Sequence, residues 1–133
     1  MENKITLIST HRNILDISKT VISQLPDQAR QALADSGNER IRIYADSHLE
    51  EGFLYILPVD TGPWKFKNDI HLDLTKLQGD NEISAAIIWG LAMIVVDSDN
   101  NRIISATVKS WGLGHYSRYL VDTTERMNRS DNP

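Results

Sequence analysis

The most apolar stretch of the chain, NEISAAIIWGLAMIVV at residues 81–96, repeats at the period of a helix. Asp80 or Asn81 can cap its start, and Glu82 suits the positive end of the helix dipole. We predict a helix over residues 82–96, in which the large apolar side chains recur every three or four residues and share one face. These side chains are Ile83, Ile87, Ile88, Leu91, Ile94 and Val95. The apolar run is shorter than the roughly 20 residues that a bilayer requires, so no membrane span is expected.

The next segment fits two structures. MIVVDSDNNRIISATV has β-branched residues on both sides of a polar turn, which is also the pattern of a β-hairpin. The sequence leaves open whether residues 92–108 form a helix or a hairpin. After Gly112 and Gly114, helical spacing resumes in HYSRYLVDTTERM, so residues 82–127 are predicted to be mainly helical. The tail at residues 128–133 is expected to fray.

The N-terminal third, residues 9–36, is also predicted to be helical. Ser9 or Thr10 can cap a helix that begins near His11. Pro26 can start a second short helix, and Gly37 suits a left-handed C-cap. The apolar stripe of the first helix consists of Ile14, Ile17, Val21 and Leu25.

Between these helical regions, residues 39–75 alternate with the period of a strand. In ERIRIYA, Ile41, Ile43 and Ala45 alternate with Arg40, Arg42 and Tyr44. GFLYILP is a second strand that ends at Pro58, VDTGPW supplies a turn, and WKFK and IHLDL alternate again. We predict an antiparallel meander of three to four strands, packed by the N-terminal and C-terminal helices in an α+β fold.

Length and composition indicate one domain over residues 1–133. The chain has no cysteine, which excludes a disulfide framework, a thiol nucleophile and a cysteine zinc site. The start MENKITLIST lacks the apolar core of a secretory signal, so a cytoplasmic location is expected. The net charge is −4, and no basic patch concentrates in any part of the sequence, so direct nucleic-acid binding is not expected.

No sequence motif assembles the nucleophile, base and stabilising groups that an enzyme requires. Asp46 and His48 in DSH, and His71 and Asp73 in HLD, each lie two apart, so each pair would share one face of a strand. Each pair is either an acid–base or metal-binding pair or two solvent-facing strand residues. We expect no catalytic residues, metal or cofactor. The glycines of WGLGHYSRY are interpreted as a joint between helices rather than a phosphate-binding loop.

The middle of the chain resembles the plasmid-borne antirestriction proteins of the ArdB and KlcA type. Pieces of the family pattern occur in the same order and at similar spacing as IRIYADS, EEGFLYILP, DTGPWKF and NEISAAIIWGLAMI, over residues 41–96. The matching positions are Tyr44, Ser47, Gly52, Phe53, Tyr55, Pro58, Gly62, Pro63, Ser84 and Ala85. The resemblance implies a small antiparallel sheet packed by helices. It also implies a protein that relieves host type I restriction through protein contacts, without catalysis.

A turn that carries acids and an aromatic residue is a common way to present a contact to a protein partner. The candidate partner-binding residues are therefore Glu50, Glu51, Asp60 and Trp64. The alternative is that Trp64 packs in the core and the acids form a solvated rim. The partner is either a component of the restriction machinery or a bacterial toxin. In the second case the chain is an immunity protein, whose acidity complements a basic nuclease toxin.

Overall fold

A computed structural model describes residues 4–59 and 66–130. Its elements are β1 (Thr6–Ile8), α1 (Arg12–Gln24), α2 (Asp27–Asp35), β2 (Arg40–Asp46), β3 (Leu54–Pro58), β4 (Asn68–Asp73), α3 (Gly79–Val96), α4 (Asn101–Ser110) and α5 (Ser117–Ser130). A 3₁₀ turn at Gly114–Tyr116 joins α4 to α5, as the joint interpretation of WGLGHYSRY predicted. The helices and the four-stranded sheet confirm the α+β class.

The sheet is mixed, so the predicted antiparallel meander is wrong. The strand order is β1-β2-β4-β3, and β2 pairs in parallel with both β1 and β4. The antiparallel pair is β3 with β4. A parallel pair needs a long crossover connection, and α1 with α2 provides it between β1 and β2. Strand β4 lies between β2 and β3. Strands β2 and β3 are therefore consecutive in the chain but are not neighbours in the sheet.

The two N-terminal helices form where they were predicted. Ile14, Ile17 and Val21 are buried along α1, and Leu25 is buried directly after it. The cap differs from the prediction, because the Nδ1 atom of His11 accepts the hydrogen bond from the Ile14 amide at 3.3 Å. The sequence reading missed β1, since three residues are too few to show a period of two.

The segment that allowed a helix or a hairpin contains two helices, so the hairpin interpretation is wrong. Asp97 ends α3 in the left-handed conformation, with φ of 50°. The side chain of Asn100 then accepts hydrogen bonds from the amides of Arg102 and Ile103, at 3.0 Å and 3.4 Å, and caps α4. Polar residues that favour a hairpin turn also favour a helix cap, which explains the ambiguity.

Helix α3 is the central element of the core. Its prediction as a helix is confirmed, but it is buried on more than one face, because Ala85, Ala86 and Ala92 are buried together with the predicted apolar stripe. By length and composition α3 could cross a membrane, yet 61% of it is buried inside the fold, as expected for a core helix. The other helices pack around it.

The centre of the covered face of the sheet consists of Ile41, Ile43, Ile70 and Leu72, all at most 2% exposed. Towards the edges of the same face, Leu54 and Ile56 are half-buried and Ala45 is exposed. Helix α3 approaches this face closely at Gly90. A Cβ atom at Gly90 would lie 3.3 Å from the Cδ1 atoms of Ile70 and Leu54, so a larger residue would displace its neighbours. The close approach excludes water from the centre of this side of the sheet.

A buried ion pair attaches α5 to the start of α3. The Glu82 carboxylate accepts hydrogen bonds from the Gln78 amide at 3.0 Å and from the Thr123 hydroxyl at 2.6 Å, and it is paired with the guanidinium of Arg126. Burial alone would raise the pKa of Glu82, but these partners outweigh it and lower the pKa. Helix α5 extends to Ser130, and residues 131–133 lie outside the described chain, so the fraying of residues 128–133 stays a prediction.

Candidate interaction surface

The side of the sheet opposite the helices carries a different set of side chains. Strand alternation and register place these residues together, and we call their surface the open face. It consists of Arg40, Arg42, Tyr44, Asp46, Tyr55, Leu57, Asp69 and His71. Within residues 4–59 and 66–130, no helix packs on this face. The same strands therefore present an aliphatic face to the core and an aromatic, charged face to the outside.

Three aromatic rings form a row across the centre of the open face. His71 of β4 pairs in register with Tyr44 of β2 on one side and Tyr55 of β3 on the other. The Tyr44 and His71 rings are stacked with centroids 4.8 Å apart, and the Tyr55 ring lies 6.4 Å from His71 at a tilt of 58°. Tyr44 is 37% exposed and Tyr55 52% exposed. The row thus presents large, ordered apolar area to solvent.

The imidazole of His71 is held by Asp46, a pairing that the sequence analysis did not predict. Its Nδ1 atom lies 2.6 Å from a carboxylate oxygen of Asp46, which can only accept, so Nδ1–H donates. Its Nε2 atom is buried and has no hydrogen-bond partner within the described chain. Neither of the pairs considered from the sequence, Asp46 with His48 or His71 with Asp73, is hydrogen-bonded within the described chain. His48 lies beyond the end of β2 in an exposed left-handed conformation, and Asp73 is fully buried with other partners.

Asp73 instead anchors the loop at residues 47–53. One of its carboxylate oxygens accepts a hydrogen bond from the Leu49 amide at 2.9 Å, and the other accepts from the amide and hydroxyl of Thr75 at 3.0 Å and 2.5 Å. Burial alone would raise the pKa of Asp73, but these bonds and the charge of Lys76 outweigh it and lower the pKa. The role of Asp73 is structural.

Glu50 and Glu51 lie on this anchored loop, and both are exposed. The ammonium group of Lys76 donates to the carbonyls of Leu49 and Gly52 on either side of them, at 2.6 Å and 2.8 Å. The loop connects the end of β2 to β3, next to the aromatic row. The backbone of this loop is thus held in place, and Glu50 and Glu51 border a pocket together with Lys76 and with Arg126 of α5. The other two predicted contact residues, Asp60 and Trp64, lie outside the described residues.

The opposite end of the open face is basic. Arg42 forms two hydrogen bonds with the carboxylate of Asp69, at 2.8 Å and 2.9 Å, and the hydrogen bonding raises the pKa of Arg42. Its guanidinium carbon lies 4.6 Å from the centre of the Phe66 ring, and that of exposed Arg40 lies 5.2 Å from the same ring. The open face therefore has arginines at one end, tyrosines and His71 at its centre, and the carboxylate of Asp46 at the other end.

The open face offers aromatic rings, one imidazole–carboxylate pair and one arginine–carboxylate pair. Among the described residues, no three His, Asp or Glu side chains converge in a geometry that could hold a metal ion. The pair of Asp46 and His71 could orient a base, but no hydroxyl in the described chain is hydrogen-bonded to the imidazole.

Sequence reasoning placed Arg40, Arg42 and Tyr44 together on one side of a strand but did not identify them as a site. The usable signal was the residue type, since tyrosine and arginine are enriched in protein interfaces. Tyr55 and Leu57 belong to the open face because β3 pairs with β4. The local sequence pattern does not show which strand is the neighbour of β3.

No protein-family model, curated protein or solved structure matches this chain.

Proposed function

We propose that the chain is a non-catalytic, cytoplasmic interaction protein that counters a host defence system in the manner of antirestriction proteins. It binds a protein component of the restriction machinery through the open face. The observation that carries this proposal is the exposed centre of that face, where Tyr44, Tyr55 and Leu57 are 37%, 52% and 36% exposed on a sheet whose other side is packed by α3 at its centre.

The composition of the open face supports a protein partner. Tyrosine and arginine are enriched among the residues that contribute most to binding in protein interfaces, and tyrosine buries a large area at a small loss of conformational entropy. Here the tyrosines are fixed by the sheet, and the guanidinium of Arg42 is fixed by Asp69. Because these side chains are already held in place, binding would cost little of their conformational entropy, which favours a high affinity.

The stacking also favours protein over single-stranded nucleic acid as the partner. Proteins bind single strands by stacking bases on free aromatic faces. In this chain, the Tyr44 ring stacks on His71 at an interplanar angle of 14°, so each ring already covers a face of the other.

The resemblance to antirestriction proteins supports the choice of biological setting. It covers residues 41–96, which here comprise β2, β3, β4 and α3. These elements supply most of the open face and the core helix behind it.

The proposal is tested by plaque counts of unmodified phage on cells with an active type I restriction system. We expect the protein to restore plaques on the restricting host, with no change on restriction-deficient cells. The double variant Tyr44→Ala/Tyr55→Ala should lose this effect while remaining folded. Ile103→Ala is the matched control, because Ile103 is 47% exposed on α4, away from the open face. Unchanged plaque counts with soluble wild-type protein would contradict the proposal.

The acidic loop favours a second candidate, an immunity protein for a basic bacterial toxin. Glu50 and Glu51 are exposed, and Lys76 holds their loop next to Asp46. Ordered carboxylates of this kind accelerate encounter with a basic partner in a salt-dependent way.

For this second candidate, co-expression with candidate nuclease toxins measures protection directly. The variant Glu50→Lys/Glu51→Lys should abolish protection, whereas Asp99→Lys, at an exposed acid between α3 and α4, should retain it. Equal protection by both variants would exclude the loop from the contact.

A further inference from the structure

A groove on the helical side of the molecule is distinct from the open face. It lies between α4 and α5, contains about 790 Å³ and opens to solvent. Both helices pack against α3, so Trp89 of α3, half-buried, lies at the floor of the groove. We call it the α4–α5 groove.

The two walls of the groove differ in side-chain size. The α4 wall includes Ser105 and Ala106, which are small. The α5 wall includes Leu120 and Val121, which are large, and Val121 is the most exposed large hydrophobic residue of the described chain at 54%. Val121 thus protrudes from the α5 wall, and the small side chains of the α4 wall leave room for an apolar side chain.

The walls also differ in charge. Arg102 lines the groove on α4 and Glu125 lines it on α5, and both are exposed. Among the described residues they form no ion pair with each other. The α4 wall therefore carries a positive charge and the α5 wall a negative charge. The difference in size is confined to Ser105 and Ala106 against Leu120 and Val121, since Ser117 and Thr124 also line the α5 wall.

We propose that the α4–α5 groove is the interface of a two-fold symmetric homodimer. A two-fold axis along the groove places the α4 wall of one copy against the α5 wall of the other, twice over. Val121 of each copy then packs on Ala106 of the partner copy, and Arg102 of each copy pairs with Glu125 of the partner copy. In this arrangement an exposed apolar side chain meets a small one, and a positive charge meets a negative one. The floor around Trp89 is removed from water.

The decisive measurement is sedimentation equilibrium over a wide range of protein concentration. We expect a mass approaching twice the 15.1 kDa of the chain at high concentration. Val121→Asp should raise the dimer dissociation constant by at least about 30-fold, the size of a strong interface contact. A monomeric mass at every concentration would overturn the proposal.

A charge exchange tests the register of the two walls. Arg102→Glu should weaken the dimer roughly 5-fold, because it faces Glu125 of the partner copy, and Arg102→Glu/Glu125→Arg should restore it to within about 2-fold. Failure of the double variant to recover would reject this pairing.

Ile103→Asp is the matched control, since Ile103 is 47% exposed on α4 but does not line the groove. Dimers that survive Val121→Asp but are lost in Ile103→Asp would place the interface elsewhere and overturn the proposal. All of these side chains are exposed, so the variants are expected to fold, and their melting temperatures verify it.

Discussion

The two faces of the sheet are made by the same strands and have opposite properties. The covered face presents Ile41, Ile43, Ile70 and Leu72 to α3 and is closed to water at its centre. The open face presents tyrosines, arginines and carboxylates, several of which are paired with one another. The alternation of each strand therefore separates two tasks. The residues on one side contribute mostly to the free energy of folding, and those on the other side are available for recognition.

The largest expected effect is on the covered face. Leu72→Ala removes a fully buried side chain beneath α3 and should reduce the free energy of unfolding by about 2–5 kcal/mol through lost burial and a cavity. Urea denaturation measures it. If Leu72→Ala lowered the free energy of unfolding by less than about 1 kcal/mol, as an ordinary surface change does, the covered face would not contribute more to stability than the open face.

An intermediate effect is expected at Asp73, where the end of β4 meets the loop that carries Glu50 and Glu51. Its lowered folded-state pKa means that the unfolded chain binds a proton more readily, so the stabilisation is present above the unfolded pKa of about 3.9 and is lost as the pH falls through the folded value. Asp73→Asn should cost about 2 kcal/mol near pH 7, because the amide places a donor towards the Leu49 amide.

Thermal melts of the wild-type protein and of Asp73→Asn, from neutral to acid pH, check the predicted loss of stability. The two stabilities should converge as the pH falls, because the wild-type carboxyl group then becomes neutral as well. A constant difference across the pH range would show that Asp73 does not act through its charge. The remaining acid sensitivity of the variant is expected to come in part from Glu82, whose pKa is also lowered.

The smallest effect on stability is expected at the centre of the open face. Tyr55→Ala removes a side chain that is 52% exposed and should change the free energy of unfolding by less than about 1 kcal/mol. If the open face is the binding surface, the same variant should weaken partner binding by at least tenfold. Denaturation and a binding titration on the same protein separate the two effects. A large loss of stability would show that Tyr55 serves the fold instead.

Much of the local structure could be predicted from short-range patterns. The stripe of Ile14, Ile17 and Val21 identified α1, and the alternation around Ile41 and Ile43 identified β2 and its buried side. Helix α3 was predicted from its apolar period, although its burial on several faces was not. Helix caps were less certain, because Asn100 could start a helix or turn a hairpin until its hydrogen bonds to the following amides were visible.

The candidate site was predictable only in part. Glu50 and Glu51 were proposed as contact residues from the sequence and are exposed on the loop between β2 and β3, whereas Tyr44 and Tyr55 were not proposed. His71 was noticed but matched with the wrong carboxylate, because neighbours two apart along a strand are easy to see and neighbours on adjacent strands are not. Its partner Asp46 lies 25 positions away in the chain.

By itself, the sequence determined most of the helices and strands and the apolar side of β2, since these follow from periods of a few residues, but it missed β1 and left residues 92–108 open between a helix and a hairpin. Only the tertiary structure decided that β4 lies between β2 and β3, and hence that Tyr44, His71 and Tyr55 form one row. Strand order depends on which distant backbone groups exchange hydrogen bonds and on how α3 packs against the whole sheet. A period of two assigns a residue to a face, but it contains no information about the neighbouring strand.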